Sequence, residues 1–139
     1  MRMARVHWST MAATPAELPG LRVTVDRVAF MPNLDAPKDR PFPFVYFITI
    51  HNDSEETVTI RGRKWVVADS RGDTIVVEGD GVVGKSPRLT PGESFSYNSY
   101  HAIGSDSVAE GAFFGVTESE EWVVVRIPRF EMKVPESKS

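Results

Sequence analysis

The chain of 139 residues contains no cysteine. Disulfide bonds, thiolate nucleophiles and cysteine-ligated metal sites are therefore excluded. Histidine is scarce as well: His7, His51 and His101 are the three in the chain, and no two of them are close in sequence. We expect His51 at the end of a strand and His101 exposed beside a turn. The sequence thus predicts no metal site and no cofactor.

The chain also lacks a strong charge and a long apolar run. Its net charge is −3, whereas a protein that binds nucleic acid regardless of sequence needs a basic face. No stretch approaches the roughly 20 apolar residues that cross a bilayer as a helix. We therefore expect a cytoplasmic protein that does not bind a membrane and does not bind nucleic acid without sequence preference.

Helical periodicity is nearly absent, and strand patterns recur along the chain. Residues 21–25 and 57–60 alternate between apolar and polar side chains, and residues 45–50 are apolar on both faces. Turn-forming residues separate these runs, which favours an antiparallel β-sandwich. We predict an all-β fold with one domain over residues 21–135, a flexible N-terminal tail over residues 1–20 and a C-terminal tail over residues 136–139.

The apolar alternation changes phase twice, and each change predicts a β-bulge. Gly62 lies at the first change and Pro128 at the second. Such kinks allow a strand to pass from one sheet of a sandwich to the other. The proline-rich residues 29–43 are expected to form a long loop between the first two strands.

The sequence GDGVVG at residues 79–84 has the spacing of a dinucleotide-binding motif. That motif requires a helix after its last glycine, and two prolines within the next eight residues make a helix there unfavourable. The glycines are therefore expected to supply positive φ angles in a tight hairpin. Basic side chains flank this turn and make it a candidate anion site, with backbone N–H groups as additional donors. The candidate ligand-binding residues are Arg61, Arg63, Gly79, Asp80, Gly81, Gly84, Lys85 and Arg88.

No catalytic arrangement accompanies this turn. One acidic cluster contains Glu118, Glu120 and Glu121, and a second lies at residues 53–56; both are in turn-like segments and are expected at solvated hairpin tips. No serine lies in a nucleophile elbow. Exposed aromatic side chains would serve a binding surface, and the candidates are Tyr100, Phe113 and Phe114. We therefore predict a protein that is not an enzyme.

Several motifs resemble the ApaG family, also called the DUF525 domain, from about residue 23 to residue 135. They are the run at residues 44–52, then Arg63-Lys64-Trp65, the glycine motif with Pro87, Leu89-Thr90-Pro91-Gly92 with Phe95-Ser96-Tyr97, and Ile127-Pro128-Arg129-Phe130 before Pro135. Two positions depart from the family pattern: Lys64 replaces a histidine, and Phe113 replaces a methionine.

The resemblance implies an immunoglobulin-like or fibronectin type III-like sandwich. It also implies an association with diadenosine tetraphosphate metabolism and with cobalt and magnesium tolerance, and it implies protein binding in larger eukaryotic proteins. Three functions follow as hypotheses. The first is a protein–protein interaction module with an unknown partner; the second is binding of a phosphate anion or dinucleoside polyphosphate at the glycine turn; the third is hydrolysis of phosphorylated compounds. The sequence does not predict the oligomeric state.

Overall fold

The computed structural model describes residues 15–136, which form strands, turns and loops. Residues 1–14 and 137–139 lie outside the described part, so the predicted terminal tails, and His7 with them, fall largely outside it. The strands are β1 (Ala16–Glu17), β2 (Leu21–Phe30), β3 (Phe42–Asn52), β4 (Val58–Asp69), β5 (Thr74–Asp80), β6 (Arg88–Leu89), β7 (Ser94–Ile103), β8 (Ser107–Thr117) and β9 (Trp122–Met132).

The strands form two sheets. The larger has the order β1-β9-β8-β4-β5, with the short β6 paired to β4, and the smaller has the order β2-β3-β7. Neighbours are antiparallel except β1 and β9, which are parallel. The predicted all-β sandwich is confirmed. Within the described residues, no helix is long and apolar enough to span a bilayer.

The apolar core lies between the sheets because alternate residues of each strand face inward. β3 is the central strand of the small sheet, and most of its side chains are buried on both faces, as its continuous apolar run predicts. Trp65, Phe113 and Ile48 are among the largest fully buried side chains.

Both predicted bulges are present. The pairing of β4 with β8 shifts between Ile60 and Gly62, so Arg61 is the extra residue. The pairing of β8 with β9 shifts opposite Pro128, between Ala109 and Gly111. The expectation that these kinks move a strand between sheets was wrong: β4 and β9 remain in the larger sheet along their whole length. A bulge that restores the inward face of a strand is enough to explain the phase change.

The loop between the first two long strands is shorter than predicted, because Phe30 still belongs to β2 and β3 already begins at Phe42. Near the start of the described chain, β1 pairs with β9 and Leu18 packs against the core. The backbones of β2 and β9 approach each other closely across the sandwich.

Candidate functional site

The glycine turn follows β5, and its backbone is hydrogen-bonded to the bulge of β4. Gly81 N–H donates to the Arg61 carbonyl at 2.7 Å, which extends the β4–β5 pairing beyond Asp80. Val82 and Lys85 then exchange two backbone hydrogen bonds, of 2.7 and 2.9 Å, around a two-residue loop. This closed double turn replaces the strand-to-helix transition of a dinucleotide site. Of the eight predicted site residues, Gly81, Gly84 and Lys85 lie in this turn and Arg61 lies on the facing bulge, while Gly79 and Asp80 end β5 beside it.

The φ angles of this turn partly match the prediction. Gly81 and Gly84 have φ values of 64° and 80°, whereas Gly79 is outside the positive region. Val83 has φ of 44°, which the sequence analysis did not predict. Val83 and Gly84 are the two central residues of the loop, and positive φ at both positions is characteristic of a type I′ turn. The backbone of a β-branched residue is strained there.

A glycine is needed at position 79 for a different reason: the side chain of Arg63 lies close against its backbone. A Cβ atom on Gly79 would lie 2.8 Å from the Arg63 guanidinium. Because glycine has no Cβ, Arg63 extends across β5 and donates to the carbonyl oxygens of Asp80 and Gly81 at 2.9 and 3.2 Å. Arg63 therefore holds the turn against β4 through two backbone carbonyls.

The geometry limits the predicted anion site. Gly81 N–H is already bonded to Arg61, so it is not available as an additional donor to an anion. Arg88 lies in β6, and its guanidinium is 3.6 Å from the Glu118 carboxylate. The turn therefore brings the backbones of Arg61 and Lys85 close to the guanidinium of Arg63, whereas Arg88 is paired with an acidic side chain on the β8–β9 turn.

The strand that leads into this turn, β5, is the most exposed of the long strands of the larger sheet. Its pattern contains no buried residue, and three consecutive apolar side chains remain accessible: Ile75, Val76 and Val77 are 36%, 54% and 38% exposed. β5 pairs with β4 on one side, and no described strand lies on its other side. The sequence analysis missed this surface, because local alternation does not reveal which strand lies at the edge of a sheet.

The aromatic candidates for a binding surface have different environments. Phe113 is fully buried, so its candidacy was wrong. Phe114 is half-buried. Tyr100 is 41% exposed, but its hydroxyl donates to the Asp35 carbonyl at 2.9 Å and fastens the loop before β3 to β7. Of the three, Tyr100 alone presents a large apolar surface.

His101 is not exposed beside a turn, and that expectation was wrong. It lies in β7 with its ring 4.8 Å from the rings of both Tyr46 and Trp65, in the aromatic part of the core. Burial lowers its pKa from 6.5 to about 4, because the charged imidazolium loses its hydration. His101 is therefore a neutral core residue at pH 7.

A polar network covers the outer face of the small sheet. The Asp26 carboxylate accepts hydrogen bonds from the hydroxyls of Thr24 and Thr49 at 2.8 and 2.6 Å, and these bonds lower its pKa. The Thr24 hydroxyl is also 2.9 Å from Nε2 of His51, and that of Thr49 is 2.8 Å from the Ser96 hydroxyl. The pairing of β2 with β3 shifts between Val25 and Arg27, so Asp26 is the extra residue of a bulge. The members of the network satisfy one another and thereby stabilise this bulge.

Both acidic clusters are exposed, as the sequence predicts. Residues 118–121 lie at the tip of the β8–β9 hairpin, whereas the prediction of a hairpin tip was wrong for residues 53–56, which connect β3 to β4 in the other sheet. Over residues 15–136, no three histidine or carboxylate side chains are grouped closely enough to hold a metal ion.

The family model described as "DUF525: ApaG domain" matches residues 32–116. Protein ApaG of Rhodospirillum centenum is 39% identical over 120 residues, which cover 86% of this chain and 92% of that protein. Protein ApaG of Vibrio cholerae is 34% identical over 119 residues, covering 85% and 94%. A crystal structure described as the ApaA protein of Bordetella pertussis has a TM-score of 0.76 at 27% identity, covering 88% of this chain and all of that one. The chain belongs to the ApaG family.

Proposed function

We propose that this protein is a non-enzymatic, cytoplasmic binding module that takes an extended segment of a partner protein at the free edge of β5. The observation that carries the proposal is the exposure of this edge strand. Ile75, Val76 and Val77 leave apolar surface accessible on both faces of a strand that pairs on one side within the described chain. An edge of this kind accepts a further strand through main-chain hydrogen bonds.

The pairing register defines which backbone groups point outward. Asp69 N–H donates to the Asp73 carbonyl, and Gly81 N–H donates to the Arg61 carbonyl. Hydrogen-bonded pairs alternate along an antiparallel ladder, so the odd-numbered residues of β5 are bonded to β4. The N–H and C=O groups of Thr74 and Val76 therefore face away from the sheet, where a partner strand would pair with them.

Residues 74–77 of the edge lack the usual protection against strand pairing. Exposed edges are commonly blocked by lysine, proline, a bulge or a very short strand. β5 extends over seven residues, and residues 74–77 contain neither proline nor charge. Val83 adds a further apolar side chain, 47% exposed, just beyond the strand. The run of three accessible apolar side chains at residues 75–77 favours a binding surface over an ordinary solvated one.

The two other hypotheses have less support. A small-anion site at the turn would lack two predicted donors, because the Gly81 N–H and the Arg88 guanidinium are already paired. A hydrolase that uses a metal ion would require a group of histidine or carboxylate side chains, and the described residues contain none. Under the proposal, any contribution of this protein to dinucleoside polyphosphate metabolism or to cobalt and magnesium tolerance is indirect and acts through a bound protein.

The proposal is tested by comparing proteins captured from cytoplasmic extract by four forms of the chain, quantified by mass spectrometry. Val76→Pro removes an outward N–H without removing a hydrogen bond to β4, because edge positions tolerate proline. Val76→Ala keeps the N–H and shortens the side chain. Leu34→Ala changes a side chain that is 39% exposed in a distant loop and serves as the matched control.

We expect a set of proteins bound by the unmodified chain to be reduced at least tenfold by Val76→Pro and less by Val76→Ala, with no change for Leu34→Ala. Capture that is equal for the unmodified chain and a correctly folded Val76→Pro variant would contradict strand addition at β5.

A further inference from the structure

The two ends of the β5 edge carry opposite charge. This edge is the surface of the proposed function, so the inference drawn from its charges rests on that proposal. At the end formed by the glycine turn lie three basic residues: the backbones of Arg61 and Lys85 are hydrogen-bonded to the turn, and the guanidinium of Arg63 reaches it from β4. Their positions follow from backbone contacts. The Arg61 carbonyl accepts from Gly81, and Lys85 is paired with Val82.

The third cation, Arg63, reaches the same place with its side chain. Its guanidinium donates to the carbonyls of Asp80 and Gly81, which leaves its positive charge uncompensated by an acid. Arg61 and Lys85 are exposed. The ion pairs within residues 15–136 use other basic residues, such as Arg88 with Glu118 and Lys64 with Glu78, and none uses these three cations.

One acidic residue, Asp80, lies within the glycine turn beside these three cations. At the opposite end of β5, the β4–β5 loop carries Asp69, Asp73 and Arg71. The Arg71 guanidinium is 3.6 Å from the Asp69 carboxylate, and Asp73 adds a second negative charge. Counting formal charges, the turn end is net positive and the loop end is net negative. The apolar residues 75–77 lie between them.

We propose that the partner of β5 is an extended peptide segment with alternating apolar side chains, and that its end beside the glycine turn is acidic. The apolar side chains would pack on Ile75 and Val77 on the core-facing side and on Val76 on the other. Carboxylates at the end of the segment would meet Arg61, Arg63 and Lys85, whose guanidinium and ammonium groups bind carboxylates through charge-assisted hydrogen bonds. The opposite charges at the two ends of β5 would fix the register, which uniform apolar pairing leaves open.

The length of the segment follows from the strand. Seven residues at about 3.3 Å per residue span about 23 Å, so a partner segment of about seven to nine residues covers the edge and the turn. A segment of this length has room for three or four apolar side chains and for two or three acidic ones.

The test is a selection of binders from a random nine-residue peptide library displayed on phage, performed in parallel on the unmodified chain and on Val76→Pro. The peptides kept are those that the unmodified chain enriches and that Val76→Pro does not enrich. We expect these peptides to share alternating apolar residues followed or preceded by acidic residues. Their dissociation constants should rise at least tenfold for the double variant Arg61→Gln, Lys85→Gln, and as the salt concentration is raised from 50 to 500 mM.

Arg88→Gln is the matched charge control, because Arg88 is a neighbouring exposed arginine already paired with Glu118. It should change the affinity less than twofold. If the peptides that depend on Val76 are neutral or basic at both ends, or if the double variant binds them as well as the unmodified chain does, the acidic-end inference is overturned and strand addition remains. If no enriched peptide depends on Val76, both the inference and the proposed function fail.

Discussion

At the scale of single residues, the glycine turn contains a strained position that sequence reasoning did not reveal. The motif predicted positive φ at Gly81 and Gly84, and both have it. Val83 has positive φ as well, although a β-branched side chain disfavours it. The reason is non-local: the bonds between Val82 and Lys85 close a two-residue loop whose two central positions both require positive φ. A strained, exposed valine beside an apolar edge is consistent with a contact residue.

Replacing Val83 with asparagine should therefore stabilise the free protein. Asparagine tolerates positive φ, and Asn-Gly is a preferred pair in a type I′ turn. We expect Val83→Asn to raise the free energy of unfolding by about 1 kcal/mol, measured by urea denaturation. Val83→Ile, which retains the β-branch, is the control and should change it little. Unchanged or lower stability of Val83→Asn would argue against strain at this residue.

His101 gives the folded protein a dependence on pH. The folded state keeps this imidazole neutral with a pKa of about 4, whereas the unfolded chain binds a proton below about 6.5. Unfolding is therefore increasingly favoured as the pH falls from 6.5 to 4, by about 3 kcal/mol in total, and this group has little effect above pH 7.

His101→Phe should remove this part of the pH dependence, because phenylalanine retains the aromatic contacts and cannot bind a proton. Urea unfolding at pH 7.0 and pH 4.5 measures the difference. The carboxyls of Asp26, Asp69 and Glu93 have lowered pKa values because they accept hydrogen bonds. The stability that their protonation removes at acid pH is the same in the unmodified protein and in His101→Phe. If the free energy of unfolding falls equally in the two proteins between pH 7.0 and pH 4.5, His101 is not desolvated in the folded state.

At the scale of elements, the β4–β5 hairpin holds most of the candidate site. The spacing between Arg61 and Lys85 is short enough for a hairpin, and it predicts that these two residues and the glycines lie in one region of the fold, as they do. The sequence did not predict the exposed edge, because the neighbour of a strand is determined by residues far away in the chain. It also placed Arg88 with the turn, although its partner Glu118 lies on the β8–β9 turn.

The hairpin depends on Gly81 more than on Gly84. A side chain at Gly81 would require positive φ and would also meet the Lys85 carbonyl oxygen, whereas a Cβ on Gly84 meets no atom within 4 Å. We expect Gly81→Val to lower the free energy of unfolding by about 3 kcal/mol and Gly84→Ala to lower it by about 1 kcal/mol. Thermal or urea unfolding measures both. Equal losses would mean that backbone strain alone, without the steric clash, determines the effect.

At the scale of the whole molecule, two sheets pack around one apolar core. The all-β class and both bulges were predictable, because a two-residue alternation and its changes of phase are local in sequence. The retention of β4 in one sheet and the burial of His101 were not, because each depends on how the two sheets pack. The exposed edge of β5 lies at the opposite end of the larger sheet from β1 and β9.

The most direct test of the account is amide hydrogen exchange in β5, followed by NMR with and without a peptide selected as described above. In the free protein, the amides of Thr74 and Val76 should exchange rapidly, whereas those of Ile75 and Val77, bonded to β4, should be protected. In the complex, we predict that exchange at Thr74 and Val76 slows at least tenfold, because a partner strand accepts their N–H groups. Unchanged rapid exchange at these two amides in a saturated complex would contradict binding by strand addition at β5.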